Sequence, residues 1–373
     1  MSAAVPGGFS MPTRPRAPQQ TRSSPMPRSR PAADDPACAA GTLSPGDRCP
    51  PRRTVKLGAM NETRSRIREL AEGAQLPAAD QLTQHLDDLG LEYRLEQGDV
   101  RLPSPLELLD RETILASVNS VVRPELEVLW QVGSTNTFLM DRLQDEAGCH
   151  GLACLAEQQT AGRGRRGRTW ISPFGRNIYL SLCWMMRGGP SKLEGLSLVV
   201  GMVVVEALRS LGAKGVGLKW PNDLLLEGGE VLPNRKLGGI LLEMAAPGPD
   251  SVGVVIGIGL NLALSDADSA RIDQPHAVLS DVAEVSRNAL AGRLLTGLLD
   301  MLPAFSERGF AAFREAWPEF DVYRGQPVEL LLGQKRVSGI NAGVDGSGNL
   351  LLQTERGVAT YNAGEVSLRA PSS

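Results

Sequence analysis

Hydrophobic residues in this chain recur at two spacings, and the change from one to the other marks out its parts. Between 62 and 90, Ile67, Leu70, Leu82, Leu86 and Leu89 fall at helical intervals, and Pro77 divides the run into two helices. EYRLEQGDVRLP then alternates and carries the dipeptide Gly98-Asp99, which predicts a small hairpin turning there. Two helices and a hairpin in so few residues make a meagre core. This segment is therefore expected to lean on its neighbour.

Past Pro103 and Pro105, helical spacing predicts helices over 109–116, after the capping residues Ser134 and Thr135, over 196–211 up to Gly212, and in pieces over 288–320. Strands are predicted over 127–132, 151–158, 177–185, 215–220, 236–245 and 252–263, the last two as neighbours. Helices and strands mix without regular βαβ repeats. That predicts an α+β fold with a central mixed sheet backed by helices. From Val322 to Leu368 the spacing is two throughout, in PVELLL, KRVSGINAGV, LLLQTE, VATYNAG and EVSLR, which predicts a small C-terminal β-barrel. The expected units are 60–105, 106–320 and 321–373.

Composition sets the first 58 residues apart. Residues 1–55 hold eleven of the 26 prolines and no hydrophobic period. Such a segment cannot repay the entropy of ordering, so 1–58 is expected to be a disordered Pro/Arg-rich extension or the product of a start assigned upstream of Met60. It lacks the apolar stretch of a secretory signal. With 39 Lys and Arg against 42 Asp and Glu, the net charge of −3 argues against a chain devoted to nonspecific nucleic-acid binding. The five cysteines are odd in number and form no framework, and the three histidines are scattered. Cys149, His150 and Cys154 lie close but lack the second half of a zinc site, so no metal site is expected and a cytoplasmic setting fits best. The longest apolar run, 196–208, contains Glu206, so no membrane span is expected.

Candidate chemistry begins at Thr160–Trp170, TAGRGRRGRTW, with four arginines and three glycines between two predicted strands. Its glycines let backbone amides approach an anion, and its guanidiniums suit phosphate or carboxylate. Nucleic-acid contact and a merely solvated loop are the competing readings. KWPNDLLL (219–226) turns at Pro221 and presents Lys219, Asn222 and Asp223 at a strand end. Glu227–Asn234 reads as a surface hairpin. RKLGGI (235–240) brings Lys236 to the start of a buried strand, where it needs a carboxylate or phosphate partner. In GIGLN (257–261), Gly257 and Gly259 clear one face of a strand for another backbone or a flat ligand. No nucleophile elbow, zincin or kinase motif is present. The chemistry expected is positioning and electrostatics rather than covalent catalysis.

GSTN (133–136), EQQTAGRGRRGRTWISPFGRNIYLSLCW (157–184), KWPNDLLL (219–226), RKLGGILLE (235–243), IGIGLNL (256–262) and EVSLR (365–369) stand in one order. Together they closely resemble the bacterial biotin–protein ligases, the biotin–[acetyl-CoA-carboxylase] ligases, over about 105–370. The resemblance implies the ligase catalytic fold, an SH3-like C-terminal barrel and a two-step reaction. Biotin and MgATP would give biotinyl-5′-adenylate. Biotin would then pass to the acceptor lysine of the biotin carboxyl carrier protein of acetyl-CoA carboxylase. It implies that Ser134, Thr135, Asn136 and Gln159 line the biotin pocket. Arg163, Gly164 and Arg165 would close over the intermediate. Lys236 would touch the reacting oxygens, with Lys219, Asn222 and Asp223 beside it and Asn261 on the nucleotide side. Asp223 would orient either magnesium or the incoming lysine. Lipoate–protein ligases share the broad reaction, and the arginine loop, KWPND and C-terminal barrel together favour biotin.

Two stretches depart from the family. Some members carry an N-terminal winged helix that represses biotin-synthesis genes, and some dimerise by joining central sheets edge to edge, so a homodimer is among the expectations. Here the wing and linker match, but a middle helix is missing from what resembles a shortened winged-helix domain. Thr83, Gln84 and His85 stand beside the phosphate-repelling Asp87 and Asp88, so DNA binding is not the favoured reading. In IDQPHAV (272–278), His276 occupies the place where the family often offers tryptophan to adenine.

Overall fold

The structure is a computed structural model that describes residues 52–145, 149–228, 234–245, 250–332, 335–362 and 366–369. Most of the expected N-terminal extension lies outside these residues. Its last part is helical, since α1 spans Arg52–Ala71. No proline falls between Pro51 and Pro77, so nothing there interrupts the i→i−4 ladder.

A short strand, β1 (Leu76–Pro77), leads to α2 (Asp80–Asp88) and the hairpin β2 (Arg94–Glu96) and β3 (Asp99–Arg101). The turn is Gln97-Gly98, both left-handed, rather than Gly98-Asp99; Glu96 pairs with Asp99 across it. The three strands form one sheet in the order β1-β3-β2. Ile67, Leu70, Leu82, Leu86 and Leu89 make its core together with Phe174 from the larger body, so this small unit does lean on its neighbour. Gln158 Nε2 also donates to the Leu89 carbonyl at 3.2 Å.

Helix α3 (Arg111–Ser117) is capped by Asp110, whose carboxylate accepts from the Thr113 amide at 2.8 Å. Then follow β4 (Glu125–Leu129), α4 (Thr135–Asp145), β5 (Leu152–Ala156), β6 (Ile178–Arg187), α5 (Leu196–Ser210), β7 (Val216–Lys219), β8 (Asp223–Leu226), β9 (Arg235–Met244) and β10 (Ser251–Leu260). The seven strands form one mixed sheet in the order β4-β5-β6-β10-β9-β8-β7, with β4 parallel to β5 and the other neighbours antiparallel. After the short α6 (Asp266–Ser269), α7 (Arg287–Arg308) packs with α5 and α3 on one face. Leu155, Leu180, Leu182 and Val254 point into that layer. The alternate residues Cys154, Cys183 and Val255 point to the other face, where Leu139 of α4 covers them. Burial pushes the thiols of Cys154 and Cys183 well above the ordinary cysteine range, which fits a packing role.

The C-terminal strands are β11 (Pro327–Leu332), β12 (Lys335–Val344), β13 (Leu350–Thr354), β14 (Gly357–Tyr361) and β15 (Val366–Arg369). Five strands appear where alternation placed them, but they form an open antiparallel sheet in the order β14-β13-β12-β11-β15. Among the described residues β14 and β15 do not pair, so the expected barrel is not closed. Period-two spacing identifies strands but carries no information on whether the first and last meet. This sheet is tied to the larger body where Leu218 exchanges backbone hydrogen bonds with Phe320 and Val322.

Candidate active site

One cavity of about 690 Å³ opens along the β6-β10-β9-β8 part of the sheet, within the range of small-molecule sites. Every site residue expected from the sequence lines it, from Ser134, Thr135 and Asn136 on one side to Lys219, Lys236 and Asn261 on the other. Seven Lys and Arg side chains line it against two Asp, although the chain as a whole is slightly acidic. Such a concentration of cationic charge in a partly enclosed cavity favours anions.

The chain Thr160–Trp170 is a compact hairpin, not a loose loop. The Trp170 amide donates to the Gly162 carbonyl at 2.9 Å and the Gly164 amide to Arg168 at 2.7 Å. Arg166 and Gly167 take left-handed conformations at the tip. Gly162 is required by space: a Cβ there would stand 2.5 Å from the Trp170 carbonyl oxygen and 2.6 Å from Ser172 Oγ. Two arginines pin the hairpin across the cavity. Arg163 Nη2 lies 2.8 Å from Glu243 Oε2, and Arg165 Nη1 donates to Asn222 Oδ1 at 2.7 Å. Burial, then repulsion from Arg166, lowers the proton affinity of Arg165. An anion near it would relieve both penalties.

The Trp170 indole lies over β10, where a Cβ on Gly259 would come within 3 Å of the ring. The Asn136 carboxamide fills the corresponding space at Gly257. The clear face expected of these two glycines is therefore used by one flat ring and one flat amide. Lys236 Nζ stands 5.6 Å from the centroid of the Trp170 ring.

Ser134 supplies the first carbonyl of α4, accepting from Phe138 N at 2.9 Å, while the Thr135 hydroxyl turns to Gln159 instead of capping. Gln159 Oε1 accepts from Thr135 N at 2.9 Å, and its Nε2 donates to Ser172 Oγ at 3.1 Å. Ser181 Oγ lies 2.8 Å from Thr135 Oγ1 and 2.5 Å from Asn136 Oδ1. The side chains of Ser134, Thr135, Asn136 and Gln159 make this end of the cavity polar, uncharged at its lining and densely hydrogen-bonded, with the Glu243 carboxylate behind Asn136.

The other end is ionic. Lys219 and Asp223 face each other across β7 and β8, and Lys236 reaches in from β9. Lys219 Nζ stands 2.8 Å from Asp223 Oδ2, and Lys236 Nζ 2.8 Å from Asp223 Oδ1. Burial alone would raise the Asp223 pKa, but Lys236 and Lys219 overrule it and hold the carboxylate at about 2. Asp223 is thus a clamp for two ammonium groups. Lys236 has the carboxylate partner that its buried position requires. The turn between Lys219 and Asp223 is fixed by a cis Trp220–Pro221 peptide, by Ser197 Oγ donating to the Pro221 carbonyl at 3.0 Å, and by Trp220 Nε1 donating to Gly348 O at 3.0 Å. Asn222 Nδ2 donates to the Ile240 carbonyl at 3.0 Å.

On the remaining side, Asn261 is buried and donates to the Ala277 carbonyl at 3.4 Å. The backbone of His276 bridges to Lys236. Its Nδ1 faces the Gln274 carbonyl at 3.1 Å and its Nε2 faces Ser269 Oγ at 2.5 Å. A carbonyl only accepts, so Nδ1 carries the proton in the neutral ring and Ser269 donates to Nε2. Among the described residues no three His, Cys, Asp or Glu gather as a metal site, and Asp223 has both oxygens engaged.

Residues that sequence reading missed support this cavity from beneath. Arg287 Nη1 lies 2.8 Å from Glu157 Oε2, with both side chains at most 5% exposed. Arg287 also donates to the carbonyls of Glu107 and Asn177. Asn177 Oδ1 in turn accepts from the Leu262 and Ala263 amides. One guanidinium thus joins the strand end carrying Gln159 to the segment following Asn261. Ser181 and Glu243 were also missed, though inward alternation along β6 could have indicated Ser181.

Residues 128–261 match the Biotin/lipoate A/B protein ligase family, and residues 324–369 match the Biotin protein ligase C terminal domain. The bifunctional ligase/repressor BirA of Escherichia coli (strain K12) is 38% identical over 300 residues, covering 80% of this chain and 90% of that one. The biotin–[acetyl-CoA-carboxylase] ligase of Mycobacterium tuberculosis (strain ATCC 25618 / H37Rv) is 34% identical over 280 residues, covering 71% and 97%. The biotin protein ligase from Aquifex aeolicus in complex with biotin and ATP superposes with a TM-score of 0.54 at 29% identity, covering 66% of this chain and 99% of that one. With the ordered motifs, the mixed sheet and the cationic cavity, these matches establish that the chain belongs to the biotin/lipoate protein ligase family as a biotin–protein ligase.

Proposed function

We propose that the cavity joins biotin to ATP and then passes biotin to a lysine of the biotin carboxyl carrier protein of acetyl-CoA carboxylase. The observation that carries this reading is the arginine hairpin pinned across a cavity with an uncharged, hydrogen-bonding end and a dilysine end. A ureido ring suits the first, near Thr135, Asn136 and Gln159. A carboxylate and the α-phosphate suit the second. In step one, a biotin carboxylate oxygen attacks the α-phosphorus of MgATP, an acyl–phosphate bond forms, and pyrophosphate leaves. Arg163, Arg165 and Lys236 stand where negative charge builds up, fixed before the reaction begins. In step two, a neutral acceptor ε-amine attacks the acyl carbon, an amide forms, AMP leaves, and the amine's extra proton is released.

Asp223 is too acidic and too fully engaged to take that proton; its part is to hold Lys219 and Lys236 in place. Magnesium belongs to this scheme as part of the substrate MgATP. The hairpin covers a mixed anhydride that water would otherwise hydrolyse. The small N-terminal unit packs on the ligase body through Gln158 and Phe174, and the exposed Asp87 and Asp88 of α2 favour this packing role over DNA binding. The test is incubation of the full chain with biotin and MgATP without acceptor. Biotinyl-5′-AMP and pyrophosphate in equal amounts are expected; adenylate from lipoate but not biotin would overturn the reading.

Among the described residues no helix is long and apolar enough to cross a membrane.

A further inference from the structure

We infer that Glu243 is a positioning residue that sets the direction of the hydrogen bonds at the biotin end and tethers the arginine hairpin to them. This rests on the biotin-ligase reading above. Glu243 belongs to β9, and a single oxygen, Oε2, receives both Asn136 Nδ2 at 2.9 Å and Arg163 Nη2 at 2.8 Å. Asn136 Nδ2 also faces the Leu241 carbonyl at 3.3 Å. Two acceptors on that side fix the amide, with Nδ2 toward β9 and Oδ1 toward Ser181.

The rest follows from proton counting. Asn136 Oδ1 can only accept, so Ser181 gives it its one proton across 2.5 Å. The Ser181 oxygen is then left as an acceptor, and the Thr135 hydroxyl, with one proton to give, divides it between that oxygen at 2.8 Å and Gln159 Oε1 at 3.1 Å. Gln159 is oriented independently, because Thr135 N holds its Oε1 and its Nε2 turns to Ser172. A ureido group presents two N–H donors and one carbonyl, so it needs a lining whose donors and acceptors do not change places. The Glu243 carboxylate supplies that bias because it cannot donate. A glutamine there can present either end, and the Asn136 amide is then held on that side only by the longer 3.3 Å contact with the Leu241 carbonyl.

The shared oxygen also links two events. Arg163 is 43% exposed and its contact with Glu243 would contribute little as a surface pair. Asn136, by contrast, is 4% exposed. Hairpin closure by Arg163 therefore bears on the same atom that orders a buried amide, so an occupied pocket and a closed hairpin favour one another.

The test uses the full chain with Glu243→Gln, Arg163→Gln and the double variant. Three quantities are read: biotin Kd without ATP, the fraction of the biotinyl-5′-AMP formed that is released without acceptor, and Tm. Glu243→Gln is expected to weaken biotin about tenfold and raise adenylate release about threefold, with Tm nearly unchanged. In the Arg163→Gln background it should add no further release while still weakening biotin. An active wild type matched by Glu243→Gln in both Kd and release overturns this inference alone. So do losses that simply follow a fall in Tm. A wild type that forms no biotinyl-adenylate removes the ligase reading, and this inference with it.

Discussion

Replacing Asp223 by Asn keeps the shape of the side chain, removes its charge and turns one of its two acceptor oxygens into a donor facing an ammonium group. In the folded chain two ammonium groups stand 2.8 Å from its two oxygens, the carboxyl is about 16% exposed, and its pKa falls from the ordinary 3.8 to about 2. At 1.36 kcal/mol per tenfold change in proton affinity, that lowering corresponds to about 2 kcal/mol of folding stability at pH 7. Solvent screening takes little from a group this covered. The sign follows from the folded pKa lying below the unfolded one. The stabilisation is complete above about pH 4 and is lost as pH falls toward 2. Urea unfolding of wild type and Asp223→Asn should therefore differ by about 2 kcal/mol at pH 7 and at pH 5, and converge between pH 4 and pH 2. A difference below about 0.5 kcal/mol at pH 7, or one that does not shrink with acid, would refute the clamp.

Arg165→Ala should increase release of free adenylate more than it weakens biotin; an unchanged release in the acceptor-free assay would remove its closing role. Lys236→Met should slow adenylate formation by about 10²- to 10³-fold, as expected for loss of a preorganised charge, while biotin Kd moves little. An equal loss in Kd would place Lys236 in ground-state binding instead. Arg287→Met should cost about 3–5 kcal/mol in chemical denaturation by stranding the buried Glu157 charge, and Arg287→Met with Glu157→Leu should recover much of that. A single variant as stable as wild type would show that the pair is not a support.

Much of the site was legible because its residues sit in short ordered motifs whose chemistry demands convergence. The arginine hairpin, KWPND and RKLGG read as anion-handling pieces, and the fold brings them to one cavity. What the sequence hid is long-range. Arg287 lies 130 residues from Glu157, and nothing local distinguishes a buried arginine on an amphipathic helix from a solvated one. Strand β8 was hidden by the Asn/Asp turn before it and by its length of four residues, which gives no clear period. The open C-terminal sheet differs from the expected barrel for a similar reason. Alternation marks β11 to β15 but not their partners: among the described residues β15 pairs with β11, and its chain neighbour β14 lies at the opposite edge.

The central claim, transfer of biotin to a carrier lysine, is tested most directly by intact-mass analysis. A purified biotin carboxyl carrier domain would be incubated with this chain, MgATP and either biotin or lipoate. The predicted result is a mass gain of one biotinyl group that requires ATP and disappears when the acceptor lysine is replaced. No gain with biotin, together with a gain on a lipoyl domain given lipoate, would contradict it.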